Sequence, residues 1–90
     1  TYDEFGRSPV ENEERGTHHG SATVHFVMGG RVNGGLHGEP SPVVRVHRVG
    51  GPAPTTDTRR LWSTVVERWW GRDASRLFAR PFRALELLRA

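Results

Sequence analysis

The chain has no cysteine, no lysine, no isoleucine and no glutamine. Without cysteine it can form neither a disulfide staple nor a thiolate metal site, and the redox compartment stays open. No apolar run approaches the roughly 18–20 residues that cross a bilayer as a helix, and no signal-peptide pattern is present. Hydrophobic residues make up only 34% of the 90, which is little for a domain of this size that must bury a core of its own. With lysine absent, all thirteen basic residues are arginine. That fits the codon bias of a G+C-rich genome, or an arginine surface for phosphates and acidic partners.

Charge and flexibility are unevenly spread. Residues 1–40 carry three arginines against six acids, and residues 41–90 carry ten against four. The arginines are dispersed rather than laid in a stripe with stacking aromatics, which argues against nucleic acid as the partner. Most of the eleven glycines and six prolines precede Thr55, so the first half is rich in turns. The chain therefore reads as a single partial domain with a strand-and-loop region over 1–54 and a C-terminal helical region over 55–90.

The expected elements run in this order. Residues 1–7 form the end of a strand entering a loop. Residues 8–20, with Pro9, Asn12, Gly16 and Gly20 as turn formers, make an exposed excursion. The apolar run 22–28 fits a buried strand, stopped by Gly29-Gly30. Asn33-Gly34-Gly35 supplies a further turn. Residues 43–49 alternate valine with Arg45, His47 and Arg48 as an edge strand, and Gly50-Gly51-Pro52 breaks it.

A helix follows, capped by Thr56 or Asp57. Leu61, Trp62, Val65, Val66, Trp69 and Trp70 share one apolar face, which assigns the tryptophans to a core. Arg59, Arg60, Ser63, Thr64, Glu67 and Arg68 take the other face, and Gly71 ends the helix as its C′ residue. Residues 75–79 form a helical turn, and after Pro81 a last segment sets Phe82, Leu85 and Leu88 on one side. Strands, glycine-rich loops and an amphipathic helix fit a slice of an α/β sheet protein.

The chemistry-bearing side chains gather near the start. Asp3, Glu4, Arg7, His18 and His19 lie on a glycine-punctuated stretch of fewer than twenty residues, and such side chains hold metals and oxyanions. Adjacent histidines diverge, so at most one faces a given ion, and His19 is the stronger candidate. Arg7 either clamps an anionic substrate with its bidentate fork or pairs with Glu4 or Glu11. Asn12 holds the loop by an Asx turn or reaches substrate. His25 reads as a packed or hydrogen-bonded residue, and His37 and His47 as exposed.

Glu4-Phe5-Gly6-Arg7, Asn12, Gly16-Thr17-x-His19-Gly20, Phe26-Val27-Met28-Gly29-Gly30-x-Val32-x-Gly34-Gly35 and Thr55-Thr56-Asp57 before the tryptophan-rich helix resemble one family. It is the bacterial domain of unknown function 1501, grouped with the alkaline-phosphatase and sulfatase-like superfamily. The resemblance covers nearly the whole chain and corresponds to the C-terminal portion of that family. It implies that the chain is a C-terminal fragment of an alkaline-phosphatase-like α/β/α sandwich whose larger part lies upstream of Thr1.

The resemblance further implies export to the periplasm or beyond, and metal-assisted hydrolysis of phosphate or sulfate esters in the full-length parent. The divalent metal would be zinc or manganese, and the substrate a small anionic ester. Carried over by position, His19, Glu4 and His18 are the metal-site candidates and Arg7 and Asn12 the substrate-binding ones. The nucleophile belongs to the missing N-terminal part, so the fragment alone should not turn over substrate. His18 stands where the family has an aspartate, replacing an anionic oxygen ligand by imidazole. That departure favours an alternative, a non-catalytic scaffold or secretion-linked protein on the same fold. An arginine-rich binding module is a third reading.

Overall fold

The computed structural model describes residues 1–40 and 53–89. The edge strand expected over 43–49, the break at Gly50-Gly51-Pro52 and the placement of His47 lie outside the described residues. The chain divides into two compact units, one built on Thr1–Val27 and the other on Met28–Gly38 with the residues from Thr56 onward.

The first unit is organised by a β-hairpin. Strand β1 (Gly6–Glu11) pairs antiparallel with β2 (Thr17–Gly20), with Gly6 opposite Gly20, Arg7 opposite His19 and Glu11 opposite Thr17. Three residues, Ser8, Pro9 and Val10, therefore face His18 alone, which makes a bulge. Pro9 has no N–H to give the ladder. The Val10 N–H turns instead to the buried Ser8 hydroxyl, at 3.4 Å.

At the open end the backbones approach closely. A Cβ on Gly20 would stand 2.6 Å from the Arg7 carbonyl carbon, and one on Gly6 would stand 1.8 Å from the Ala22 oxygen. Neither position has room for a side chain.

The connection over 12–16 is fastened by Asn12. Its carbonyl accepts the Arg15 N–H at 3.1 Å and its N–H donates to the Gly16 carbonyl at 2.8 Å. Its side-chain oxygen accepts the N–H groups of Glu14 and Gly16 at 3.0 and 2.8 Å. Arg15 takes a left-handed conformation with φ of 63° to close the loop.

Two expectations are thus exchanged. The stretch read as a loop, 8–20, holds β2 and most of β1, which begins at Gly6 within the stretch read as a strand end. The stretch read as a buried strand, 22–28, carries no regular element, and Val24, Phe26 and Met28 are 76, 64 and 85% exposed. A strand needs a ladder partner as well as apolar side chains. At Phe26 the backbone bonds go instead to Thr1: the Phe26 N–H donates to Oγ1 at 2.9 Å, and its carbonyl accepts from the Thr1 nitrogen at 2.7 Å.

The second unit is built around α1 (Thr58–Thr64), which runs on into a π-helical turn over Val65–Trp69. Asp57 is the N-cap, accepting the Arg59 N–H at 2.9 Å while its carboxylate also receives the Arg59 guanidinium through Nε and Nη2. The hydrogen bonds from Arg59 hold the Asp57 carboxyl down at about 2. Gly71, at φ of 64°, stops the helix. The Arg72 N–H caps the Val66 carbonyl at 2.9 Å, one residue wider than the usual closing bond because the last turn is π. The cap at Asp57 and the stop at Gly71 are as the sequence indicates. Val32 N–H to Gly29 O at 3.1 Å likewise makes Gly29-Gly30 a turn.

The helix departs in part from the expected burial. Leu61, Val65 and Val66 are half-buried and Arg59, Glu67 and Arg68 exposed, as the apolar stripe implies, but the deepest residues are not the tryptophans. Ser63 and Thr64 are buried, whereas Trp62, Trp69 and Trp70 are 50, 56 and 64% exposed. The reason is a hydrogen-bonded dock for the C-terminal segment. Thr64 Oγ1 donates to the Arg60 carbonyl and accepts the Leu85 N–H, each at 2.7 Å. Arg60 Nε then donates to the Arg83 carbonyl at 3.0 Å.

The docked segment forms no helix and turns at Glu86-Leu87, so Phe82, Ala84 and Leu87 are buried and the expected Leu85 and Leu88 only half-buried. The helical turn expected over 75–79 is a single turn closed by Leu77 N–H on the Ala74 carbonyl. Arg59 and Arg80 set their guanidinium carbons 4.1 and 4.3 Å from the Phe82 ring centroid, and Phe78 meets that ring edge-on.

Arg31 ties the remaining strands of chain together. Val32 bridges Leu88 in antiparallel fashion, flanked by bonds from Asn33 N–H to Leu87 O and from Arg89 N–H to Arg31 O. The Arg31 guanidinium donates to the carbonyls of Arg89 and Arg68 and lies 5.3 Å from the Trp69 ring centroid. It thereby serves a helix-end carbonyl that has no partner within the helix. Among the described residues the architecture is mixed α and β, a two-stranded antiparallel hairpin and one helix. Among the described residues no helix is long and apolar enough to cross a membrane.

Thr64→Val keeps the side-chain shape but leaves the Leu85 N–H without its acceptor. Denaturant unfolding should show a loss of about 1–3 kcal/mol, the cost of an unsatisfied buried donor. An unchanged midpoint would mean that the segment is not held by this hydroxyl.

Candidate functional site

The hairpin brings some of the expected site residues together and separates others. Arg7 and His19 are direct cross-strand neighbours and project on the same side of the ribbon. His18 and His19 are successive residues of β2, so their side chains leave on opposite faces. His18 accordingly does not share a ligand with His19 through this strand.

Phe5, just ahead of β1, stacks on the His19 imidazole with centroids 3.5 Å apart and planes at 14°. The Arg7 guanidinium carbon lies 5.1 Å from the Phe5 centroid, and Arg7 Nη1 donates to the Thr17 carbonyl at 2.9 Å. Of the two partners expected for Arg7, the substrate clamp or an ion pair with Glu4 or Glu11, no such ion pair is formed among the described residues. The fork retains donors for an incoming anion.

Glu4 is exposed beside Asp3, whose Oδ1 receives the Phe5 N–H in a long contact of 3.5 Å. Asn12 spends its side-chain oxygen on the turn, as an Asx turn requires. His25 is half-buried, and its Nδ1 has no hydrogen-bond partner among the described residues. His37 is exposed and bonds the Asn33 carbonyl through Nε2 at 2.8 Å.

A zinc or manganese site of the kind the resemblance implies takes three or more such protein donors. His19, His18 and Glu4 offer donors that no hydrogen bond or ion pair among the described residues occupies. Yet no three histidine, aspartate or glutamate side chains converge among those residues. The donor set of this chain is therefore partial. It does not fit a closed metal site by itself, and no chemical step is assigned to a metal within it.

Phe5 was not legible as a site residue. It sits in the motif Glu4-Phe5-Gly6-Arg7, but only the register that places Arg7 opposite His19 brings its ring onto the imidazole. No spacing in the sequence signals that stack.

A family model described as "Protein of unknown function (DUF1501)" matches residues 1–81. The chain belongs to that family. No curated protein and no solved structure matches it.

Asn12→Ala removes the acceptor shared by the Glu14 and Gly16 N–H groups. It should destabilise the hairpin by about 1 kcal/mol and speed amide hydrogen exchange at both positions. Asn12→Asp retains the oxygen and should leave exchange near the native rate. Equal exchange in all three proteins would remove Asn12 from its turn-holding role.

Proposed function

We propose that this chain is the C-terminal portion of an exported protein built on an alkaline-phosphatase-like α/β/α sandwich. The whole protein hydrolyses small phosphate or sulfate esters with the help of a divalent metal, zinc or manganese. Within the chain, His19 is the metal-site residue beside Arg7 and Glu4 is the second candidate, whereas His18, on the opposite face of the strand, does not join His19 at one ion. Arg7 binds the ester's charged oxygens, and Asn12 shapes the loop beside it. The remaining ligands and the nucleophile come from the part of the fold that precedes Thr1, and that part is the chain's principal partner.

The observation that carries this reading is the cross-strand pair of Arg7 and His19, whose side chains share one face of the hairpin. An imidazole and a guanidinium side by side suit a tetrahedral oxyanion: a planar fork holds its oxygens and a neutral imidazole can ligate a metal. Membership of the family is in keeping with this reading through the motifs already described.

A second reading, a non-catalytic scaffold on the same fold, is favoured by one specific observation. His18 projects away from His19, at the position where the resemblance implies an aspartate. Fold alone does not guarantee the chemistry.

The full-length protein distinguishes the two. The hydrolase reading expects stoichiometric zinc or manganese and turnover of aryl phosphates or aryl sulfates. His19→Ala should cost at least tenfold in metal affinity, and Arg7→Ala should raise KM more than it lowers kcat. A folded protein without bound metal, without turnover on either ester class, and indifferent to His19→Ala contradicts it in favour of the scaffold.

A further inference from the structure

We propose that Phe5 is a positioning residue for His19, setting the plane in which the imidazole meets its ligand. This rests on the reading of His19 as a site residue. A histidine on the exposed face of a two-stranded ribbon is otherwise free to turn about both side-chain torsions. Ligating histidines are usually oriented by a carboxylate or carbonyl on the nitrogen that does not ligate. No hydrogen bond among the described residues reaches either ring nitrogen of His19, so that device is not what orients this ring.

The Phe5 stack takes its place. With centroids 3.5 Å apart and planes within 14° of parallel, Phe5 covers one face of the imidazole and leaves the edge bearing the nitrogens open. Two features hold Phe5 there. Gly6 follows it at a point where any side chain would meet the Ala22 backbone, which fixes the path of the chain between Phe5 and Arg7. Arg7, tethered to the Thr17 carbonyl at 2.9 Å, brings its guanidinium carbon to 5.1 Å from the Phe5 centroid. Phe5, His19 and Arg7 thus form one stacked group, in which Phe5 gives no donor atom and acts only through the ring it orients.

The test uses the full chain and the ring-proton NMR signals of its histidines. In the native chain the His19 signals should lie upfield of those of His18, whose ring faces away from Phe5. Phe5→Tyr keeps an aromatic face and should preserve the displacement. Phe5→Leu keeps apolar bulk without a ring and should return the His19 signals to those of an exposed histidine. The amide signals of Asn12 and Gly16 should stay unchanged in both variants.

His19 signals that do not move in Phe5→Leu would overturn the proposal. So would a shift of the Asn12 and Gly16 amides together with His19, because Phe5 would then be holding the hairpin rather than the ring. Zinc chloride added to the same samples tests the metal reading separately. A response at His19 in preference to His18, weakened about tenfold in Phe5→Leu, supports both. An intact stack with no zinc response contradicts the metal role of His19 and leaves its orientation by Phe5 standing.

Discussion

The close approach of Gly6 and Gly20 is the constraint on which the candidate site depends. With no Cβ on either residue, the open end of the hairpin can close on the Arg7 backbone and on Ala22. That contact pins the register, and register decides which side chains share a face, since a slip of one residue reverses every one of them. In the register observed, Arg7 faces His19 and Phe5 reaches the imidazole. One residue away, His18 would take that position instead. Three side chains of different chemistry are grouped by two residues that have no side chain at all.

The second unit rests on a different kind of contact. A helix with three tryptophans would be expected to bury them, yet Thr64 and Ser63 are the residues turned inward. The Thr64 hydroxyl bridges the Arg60 carbonyl and the Leu85 N–H. Arginine side chains then close on backbone carbonyls of the same segments. The unit is held by polar contacts around a small apolar set of Ala74, Phe82, Ala84 and Leu87. Ser63 Oγ is buried among the described residues without a hydrogen-bond partner, a cost that an apolar face turned inward would have avoided.

How much of this could be read from the sequence depended on whether the signal was local. Asp57 as N-cap, Gly71 as helix stop and Asn12 as turn residue are local devices, each satisfied by bonds to residues within a few positions. The hairpin was hidden because its ribbon is polar on both sides and its bulge at Ser8-Pro9-Val10 breaks the alternation that marks a strand. The run 22–28 had the composition of a strand, but composition does not supply a ladder partner. The tryptophan stripe had helical spacing, and that spacing said nothing about which face would be buried. In the site, Arg7 and His19 were legible as residue types, whereas their pairing and the Phe5 stack depend on register. The family match over residues 1–81 is in keeping with the motifs that carried the resemblance.

The central claim is that Arg7 and His19 are two members of one metal and oxyanion site completed by the rest of the protein. The most direct measurement is a crystal structure of the full-length protein grown with zinc and with vanadate or tungstate as an oxyanion mimic. The account predicts anomalous density for the metal at a ring nitrogen of His19, with the Arg7 guanidinium on the oxygens of the anion bound to that metal. A metal and anion bound elsewhere, with this face of the hairpin covered by other protein, would contradict it.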